Sequence, residues 1–262
     1  MKAQKLFRAT TKTHIKDSDA DQKAFSSGDK VKDKARIVEL AEQIGLQQEM
    51  FYAGGKHKLL VVLQGIDTSG KDGTIKGVFS GVNPLGINIV SFKAPSTIEK
   101  AHDYLWRVHQ HVPQTGEFTV FNRSHYEDVL ITRVHNWIDE KECKRRYEHI
   151  KDFERMLAET GTTIIKCLLH ISKDEQAERL QERIDDPAKN WKFDDGDLVE
   201  REKWDDYQKQ FSKAIQATDA DYAPWYVIPA NSKTQRNLAI ASIVLETLEA
   251  LEKGRETLEI SV

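Results

Sequence analysis

Residues 65–74 read GIDTSGKDGT, and their types and spacing suit one kind of chemistry, the holding of a phosphate. Gly65, four intervening residues, Gly70 and Lys71 form the frame of a phosphate-binding loop. The glycines let the backbone curl so that successive N–H groups and a helix N-terminus face one anion, while Lys71 adds a mobile charge. Ser69, Gly73 and Thr74 complete the stretch expected to touch phosphate. Nucleotide triphosphatases with this frame place Ser or Thr after the lysine as a magnesium ligand, whereas this chain has Asp72. The metal must then be held differently, and Asp67 inside the loop is the natural holder. Its carboxylate alone repels phosphate, a repulsion that disappears when Mg2+ bridges it to phosphate oxygens. The other reading of Asp67 is a turn residue capping its own loop.

Two more constellations carry charge suited to the same task. FNRSHYED, residues 121–128, follows the apolar run EFTVF. Arg123 would emerge there beside the loop, with Arg133 further along a helix, both as candidate phosphate clamps. QAERLQERIDDPAKNWK puts Arg179 and Arg183 four apart on one helix face, then Lys189 and Lys192 on a loop after Pro187. A basic hairpin over a phosphate site reads as a lid that closes on substrate and supplies transition-state charge. Lys76, one turn into the helix after the loop, joins this set. His102, His109 and His111 lack the spacing of a metal triad.

These residues need a scaffold, and the pattern supplies one. LLVVLQ, residues 59–64, is an unbroken apolar run of the kind buried on both faces of a parallel sheet. Strand patterns recur at 87–92, 117–121, 162–171 and in WYVIPA, separated by helical patterns. One helix opens with the capping-box spacing of Ser96 and Glu99 and carries Leu105, Trp106 and Val108; another opens with Ser172 and Glu175. A single helix is expected to place Leu198, Trp204, Tyr207, Phe211 and Ile215 on one face. This alternation predicts an α/β fold, a parallel sheet covered by helices on both faces. Residues 1–32 are polar with weak periodicity and read as an arm on the surface or on a partner subunit, or as a partly disordered tail. Residues 33–262 read as one domain, with the lid at about 173–197.

With 262 residues the chain can bury a sizeable core, and a formal charge of −3 leaves no global basic field to recruit nucleic acid. Its two cysteines, Cys143 and Cys167, imply neither a disulfide framework nor a thiolate metal site. No apolar run is long enough for a membrane span or signal segment, so the expectation is a cytoplasmic protein without a membrane partner.

VVLQGIDTSGKDGTIKGVFSGVNP, SFKAPS, FNRSHYEDV, RIDDPAKNWKF and WYVIPANSK, in that order from about residue 35 to 250, resemble the polyphosphate kinase 2 family. The resemblance implies a P-loop kinase with a thymidylate-kinase-like fold and a helical lid. It also implies transfer of a terminal phosphoryl group between inorganic polyphosphate and a nucleotide, AMP, ADP or ATP, with Mg2+, or Mn2+ in its place. By carry-over, Asp67 manages metal and phosphate, Lys71 holds the transferring phosphate, Arg123 and Arg133 clamp it, and Arg183 comes from the lid. The family precedent is a homodimer or homotetramer. Many members have Asp before the arginine of the second motif, where this chain has Asn122; an amide cannot supply that charge, and Glu127 and Asp128 are candidates to take over part of the role. This form resembles the group accepting both AMP and ADP. The competing readings are an ATP-dependent nucleoside monophosphate kinase and a non-catalytic polyphosphate-binding module.

Overall fold

Five residues in a row, Leu59 to Leu63, have no solvent exposure at all, which requires protein on both faces and both edges of their strand. That strand, β1 (Lys58–Gln64), is the centre of a five-stranded parallel sheet with β2 (Ile87–Ser91), β3 (Phe118–Asn122), β4 (Thr162–His170) and β5 (Trp225–Pro229). The spatial order is β2-β3-β1-β4-β5, and Val61 lies opposite Val120 on one side and Ile165 on the other. The structure is a computed structural model describing residues 2–192 and 195–259, without the side chains of Lys192, Asp195 and 253–259.

The helices are α1 (Ala3–Phe7), α2 (Lys30–Gly54), α3 (Lys71–Val78), α4 (Thr97–Lys100), α5 (Trp106–His109), α6 (Ile131–Val134), α7 (Glu140–Glu159), α8 (Lys173–Asp185), α9 (Asp195–Glu202), α10 (Trp204–Thr218) and α11 (Lys233–Glu259). Helices α2, α3 and α11 pack together on one face of the sheet, while α7 and α10 cover the other. Both layers of the expected α/β P-loop kinase arrangement are therefore present. Close approach within the first layer depends on glycine: a Cβ on Gly45 of α2 would stand 2.1 Å from the carbonyl oxygen of Gly81. The arm lies against its own domain. Ala3 and Phe7 are buried, the amides of Ala3 and Gln4 donate to the Glu246 carboxylate of α11 at 2.7 and 3.1 Å, and Ala9 N–H donates to Trp225 O at 2.8 Å.

Three local expectations are corrected. The capping box at Ser96 and Glu99 is complete, but its helix stops at Lys100, and Leu105, Trp106 and Val108 belong to a second segment. Asp103 accepts there from the amides of Leu105 and Trp106 at 3.0 Å each and restarts the chain. At α8, Ser172 accepts from the Glu175 amide as expected, yet the Glu175 carboxylate turns to Arg179 and the Ser172 amide donates to Asn231, so the box is only half made. The single helix through Leu198 and Ile215 is two, α9 and α10, because the backbone turns at Lys203 (φ −90°, ψ 20°). Trp204, Tyr207, Phe211 and Ile215 keep the buried face, whereas Leu198 is 46 % exposed.

Beneath β4 a charged pair is wholly enclosed. Lys166 donates to Glu154 at 2.6 Å, to Tyr126 Oη at 2.9 Å and to Thr218 O at 2.9 Å, and both charged side chains have zero exposure. His125 Nε2 and the Tyr126 hydroxyl reach the other carboxylate oxygen at 3.1 and 2.8 Å. The network therefore anchors the turn after β3 to α7 and β4. Stranding one partner of such a pair costs about 3–5 kcal/mol. Glu154→Gln is accordingly expected to move the urea midpoint strongly downward at constant slope, and Glu154→Met combined with Lys166→Met to lose less. An unmoved midpoint in Glu154→Gln would show that the pair contributes nothing to stability.

Candidate active site

The loop between β1 and α3 is shaped by what its backbone can tolerate. Gly65 and Gly70 have φ of 154° and 98°, and a Cβ on Gly65 would meet Leu169 O at 2.7 Å. Thr68 adopts φ 68°, a costly geometry for a β-branched residue, of the kind that persists only where surroundings enforce it. The enforcement is visible at the carbonyls. Those of Gly65 and Ile66 accept from Lys71 Nζ at 2.7 and 3.2 Å, that of Asp67 from Gln176 at 3.3 Å, that of Thr68 from Arg179 at 2.9 Å, and that of Ser69 from Arg236 at 3.4 Å. Because C=O and N–H of one trans peptide point in opposite directions, holding the carbonyls of Asp67 and Ser69 turns the amides of Thr68 and Gly70 the other way. The hydroxyls of Thr68 and Ser69 are buried without a hydrogen-bond partner among the described residues.

Asp67, Lys71, Asp72, Asn122, Arg123, Arg183 and Lys189 all line one cleft of about 650 Å3 beside this loop. Arg123 follows β3, the direct neighbour of β1, and its φ of 63° aims the guanidinium back at Asp67, with which it makes an ion pair. Burial opposes charge on Asp67, but Arg123, Lys71 and Arg183 together outweigh it and hold the carboxyl below its usual range. Lys71 is 7 % exposed. Burial, with Arg123 adding to it, brings its ammonium down to about 8 against the pull of Asp67, Glu127 and Asp72. Asn122 donates its amide to Asp72 Oδ1 at 2.8 Å. The amide in the second motif and the acid after the lysine are thus partners, where two acids would repel.

Other candidates lie elsewhere. Glu127 is near the loop, accepting from Gln64, which in turn accepts from Ser124 at 3.1 Å. It lines a smaller cleft with Asp67, Glu200 and Tyr207. Asp128 points away, into a separate cavity with Tyr104 and Trp137, 4.0 Å from each of Arg107 and Arg146, and burial pushes its carboxyl up to about 6 despite them. Arg133 is not brought to the loop; it donates to Asn136 at 2.9 Å and Ile138 O at 3.2 Å and faces Glu140. Arg183 pairs with Asp197 at 3.0 Å and Lys189 with Asp186 at 2.9 Å at the cleft's mouth. Arg179 lines the same cleft but deeper, in its wall: its donors go to Glu175, Thr68 O, Ala230 O and Asn231 O, so it also fastens the loop to the end of β5. Lys76 is exposed on α3, Thr74 is buried against Asn237, and the Lys192 side chain lies outside the described residues. Sequence reasoning missed Gln64, Gln176 and Arg236. Only Gln64 left a trace, as the one polar residue ending an apolar strand.

Residues 27–256 match the polyphosphate kinase 2 family. The chain belongs to that family. It is 54 % identical over 231 residues to an AMP/ADP-polyphosphate phosphotransferase of Meiothermus ruber, covering 88 % of this chain and 86 % of that one. With an ADP-polyphosphate phosphotransferase of Rhodopseudomonas palustris it shares 42 % over 223 residues, 80 % and 77 % of the two chains. Its fold superposes on the crystal structure of polyphosphate kinase 2 from Arthrobacter aurescens TC1 with a TM-score of 0.93 at 39 % identity, over 100 % and 98 % of the chains.

For a polyphosphate kinase 2 with this cleft, Lys71→Met is expected to abolish turnover while preserving the fold, since among the described residues the lysine's hydrogen bonds go to loop carbonyls alone. Wild-type-like turnover would remove the loop from the reaction. Asp67→Asn should cost far more than Asp72→Ser, because only Asp67 carries its charge beside both Lys71 and Arg123; equal losses would refute that ranking. In the wild type, Lys71 loses its proton as pH rises through about 8, so kcat/KM for polyphosphate is expected to fall there, and Lys71→Arg, if active, should lack that basic limb. A flat profile from pH 7 to 9 in the wild type would contradict the assignment.

Proposed function

We propose that this polyphosphate kinase 2 transfers the terminal phosphoryl group of inorganic polyphosphate to ADP and to AMP, reversibly and with Mg2+. The observation that carries this reading is the cleft in which Lys71, Arg123 and Arg183 surround an ionised Asp67 on the phosphate loop. An oxygen of the acceptor's last phosphate attacks the terminal phosphorus of the chain, the bridging P–O bond breaks, and the shortened polyphosphate leaves with that bond's electrons. Neither end needs a protein nucleophile, so the residues act by position and charge. Lys71 sits to hold the transferring group. Arg123, released from Asp67 as phosphate arrives, lies within reach of the equatorial oxygens, and Arg183 and Lys189 close the mouth. The amides of Thr68 and Gly70 and the hydroxyls of Thr68 and Ser69 supply neutral donors.

Asp67 suits a divalent ion shared with phosphate. Asp67 would hold Mg2+, or Mn2+, together with the substrate's phosphate, and among the described residues no group of three or more acid, His or Cys side chains is placed to hold a metal ion. When bound, the ion neutralises phosphate charge as it builds up. Asp72, held by Asn122, gives no hydroxyl for Mg-ATP and favours this reading over an ATP-dependent nucleoside monophosphate kinase. The cleft's intact charge set favours catalysis over a passive polyphosphate-binding module. Buried, unpaired Cys143 and Cys167 support a reducing, cytoplasmic setting. Exposed Val31, Val38, Leu46 and Met50 along α2 support a homodimer or homotetramer. No helix among the described residues is long and apolar enough to cross a membrane.

Use of both acceptors requires the nucleoside to sit in two registers one phosphate apart, because AMP presents its α-phosphate where ADP presents its β-phosphate. The Meiothermus ruber relative, named for both substrates, supports this. A time course from AMP and polyphosphate, with purified protein and no second kinase, is expected to show ADP first and ATP after it. ADP accumulating without ATP, or brisk use of ADP beside inert AMP, would refute dual acceptance and leave the kinase reading standing.

A further inference from the structure

Arg236, in the first turns of α11, is 3 % exposed and pressed against the loop from behind. A Cβ on Gly70 would stand 1.9 Å from its Nη1 and one on Gly73 3.2 Å from its Nη2, so the guanidinium fills the space those glycines leave. Its contacts are modest: Nη1 donates to Ser69 O at 3.4 Å, and Nε to Asn237 Oδ1 at 3.1 Å. Among the described residues no carboxylate lies within ion-pair distance of it. The nearby Glu175 is taken by Arg179 at 2.7 Å, and Arg179 is itself a second buried cation. Burial, aggravated by Arg179, lowers Arg236 to about 9.

An enclosed charge with no carboxylate opposite it is destabilising, and a neutral side chain of similar volume would pack as well. The long bond to Ser69 and the single bond to the neutral Asn237 amide do not supply a counter-charge. What lies on the far side of the Ser69–Gly70 peptide is the anion site. We propose that the counter-charge of Arg236 is the phosphoanion bound on the front of the loop, so that Arg236 is a positioning residue that strengthens phosphate binding through the intervening peptide without touching substrate. Its proton-bearing nitrogen polarises the Ser69 carbonyl, and the Gly70 amide, directed oppositely, becomes a stronger donor to the anion. The protein then carries a strained charge when empty and is relieved when loaded.

This rests on the loop being the anion site. A wild-type protein whose melting temperature does not rise with tripolyphosphate or with ADP would therefore fail that reading, not this one. Given a rise, Arg236→Met is expected to melt no lower than wild type when empty and to lose most of the anion-induced rise. Its KM for polyphosphate should increase about tenfold or more, the scale of one buried, partly screened charge, with kcat changing less. Arg236→Lys, which keeps the charge but loses the fork, should restore most of the affinity. The proposal is overturned if Arg236→Met melts lower when empty yet binds tripolyphosphate and ADP as wild type does, the behaviour of a structural staple. Should Arg236→Met not fold, Arg236→Lys decides alone: near-native KM supports the charge role, and a tenfold loss overturns it.

Discussion

Positive charge must be concentrated around one short loop before any substrate arrives to neutralise it. Lys71, Arg123, Arg179 and Arg236 all lie against residues 65–70, and each is accommodated differently. Lys71 rests on the loop's own carbonyls and is easily discharged. Arg123 borrows Asp67. Arg179 is shared between Glu175 and three backbone oxygens. Arg236 has one peptide oxygen and one amide oxygen. The sheet order makes this crowding possible. With β1 between β3 and β4, the loop receives Arg123 from one neighbour and α8 from the other, at the point where successive strands change direction across the sheet.

What could be read in advance is what is local in the chain. Residues 59–63 announce a doubly covered strand by being apolar without interruption, and the glycines after them announce a curled backbone. Once the sheet is parallel, Arg123 must emerge beside the loop, and it does. Misreadings arise where direction matters more than spacing. Arg179 and Arg183 share a helix face, but one turn along the axis is about 5–6 Å, enough to put the first in the wall and the second at the mouth. Glu127 and Asp128 are adjacent on a tight turn and end in different cavities. Leu198 keeps the period of α10, yet a change of two dihedrals at Lys203 sends it to solvent. Arg236 carried no signal at all, because a lone arginine entering a long helix looks like any solvated one until the fold folds that end under the loop.

Asp72 and Asn122 show how two departures from a familiar motif cancel. Placing an acid after the lysine removes a hydroxyl ligand and adds negative charge near phosphate, and the amide at the end of β3 takes hold of it at 2.8 Å. The pair also stitches the start of α3 to β3, so the helix N-terminus and the arginine after β3 keep a fixed separation.

Gly70 and Arg236 compete for one volume although most of the chain separates them. Any side chain at position 70 would evict the guanidinium, and a smaller residue at 236 would open a void under the glycine. Their dependence runs one way: without the arginine the glycine is still fixed by its own backbone, φ 98°, whereas a side chain at the glycine displaces the arginine. A substitution at the glycine would therefore be felt twice, in the loop's own backbone and in a helix that most of the chain separates from it.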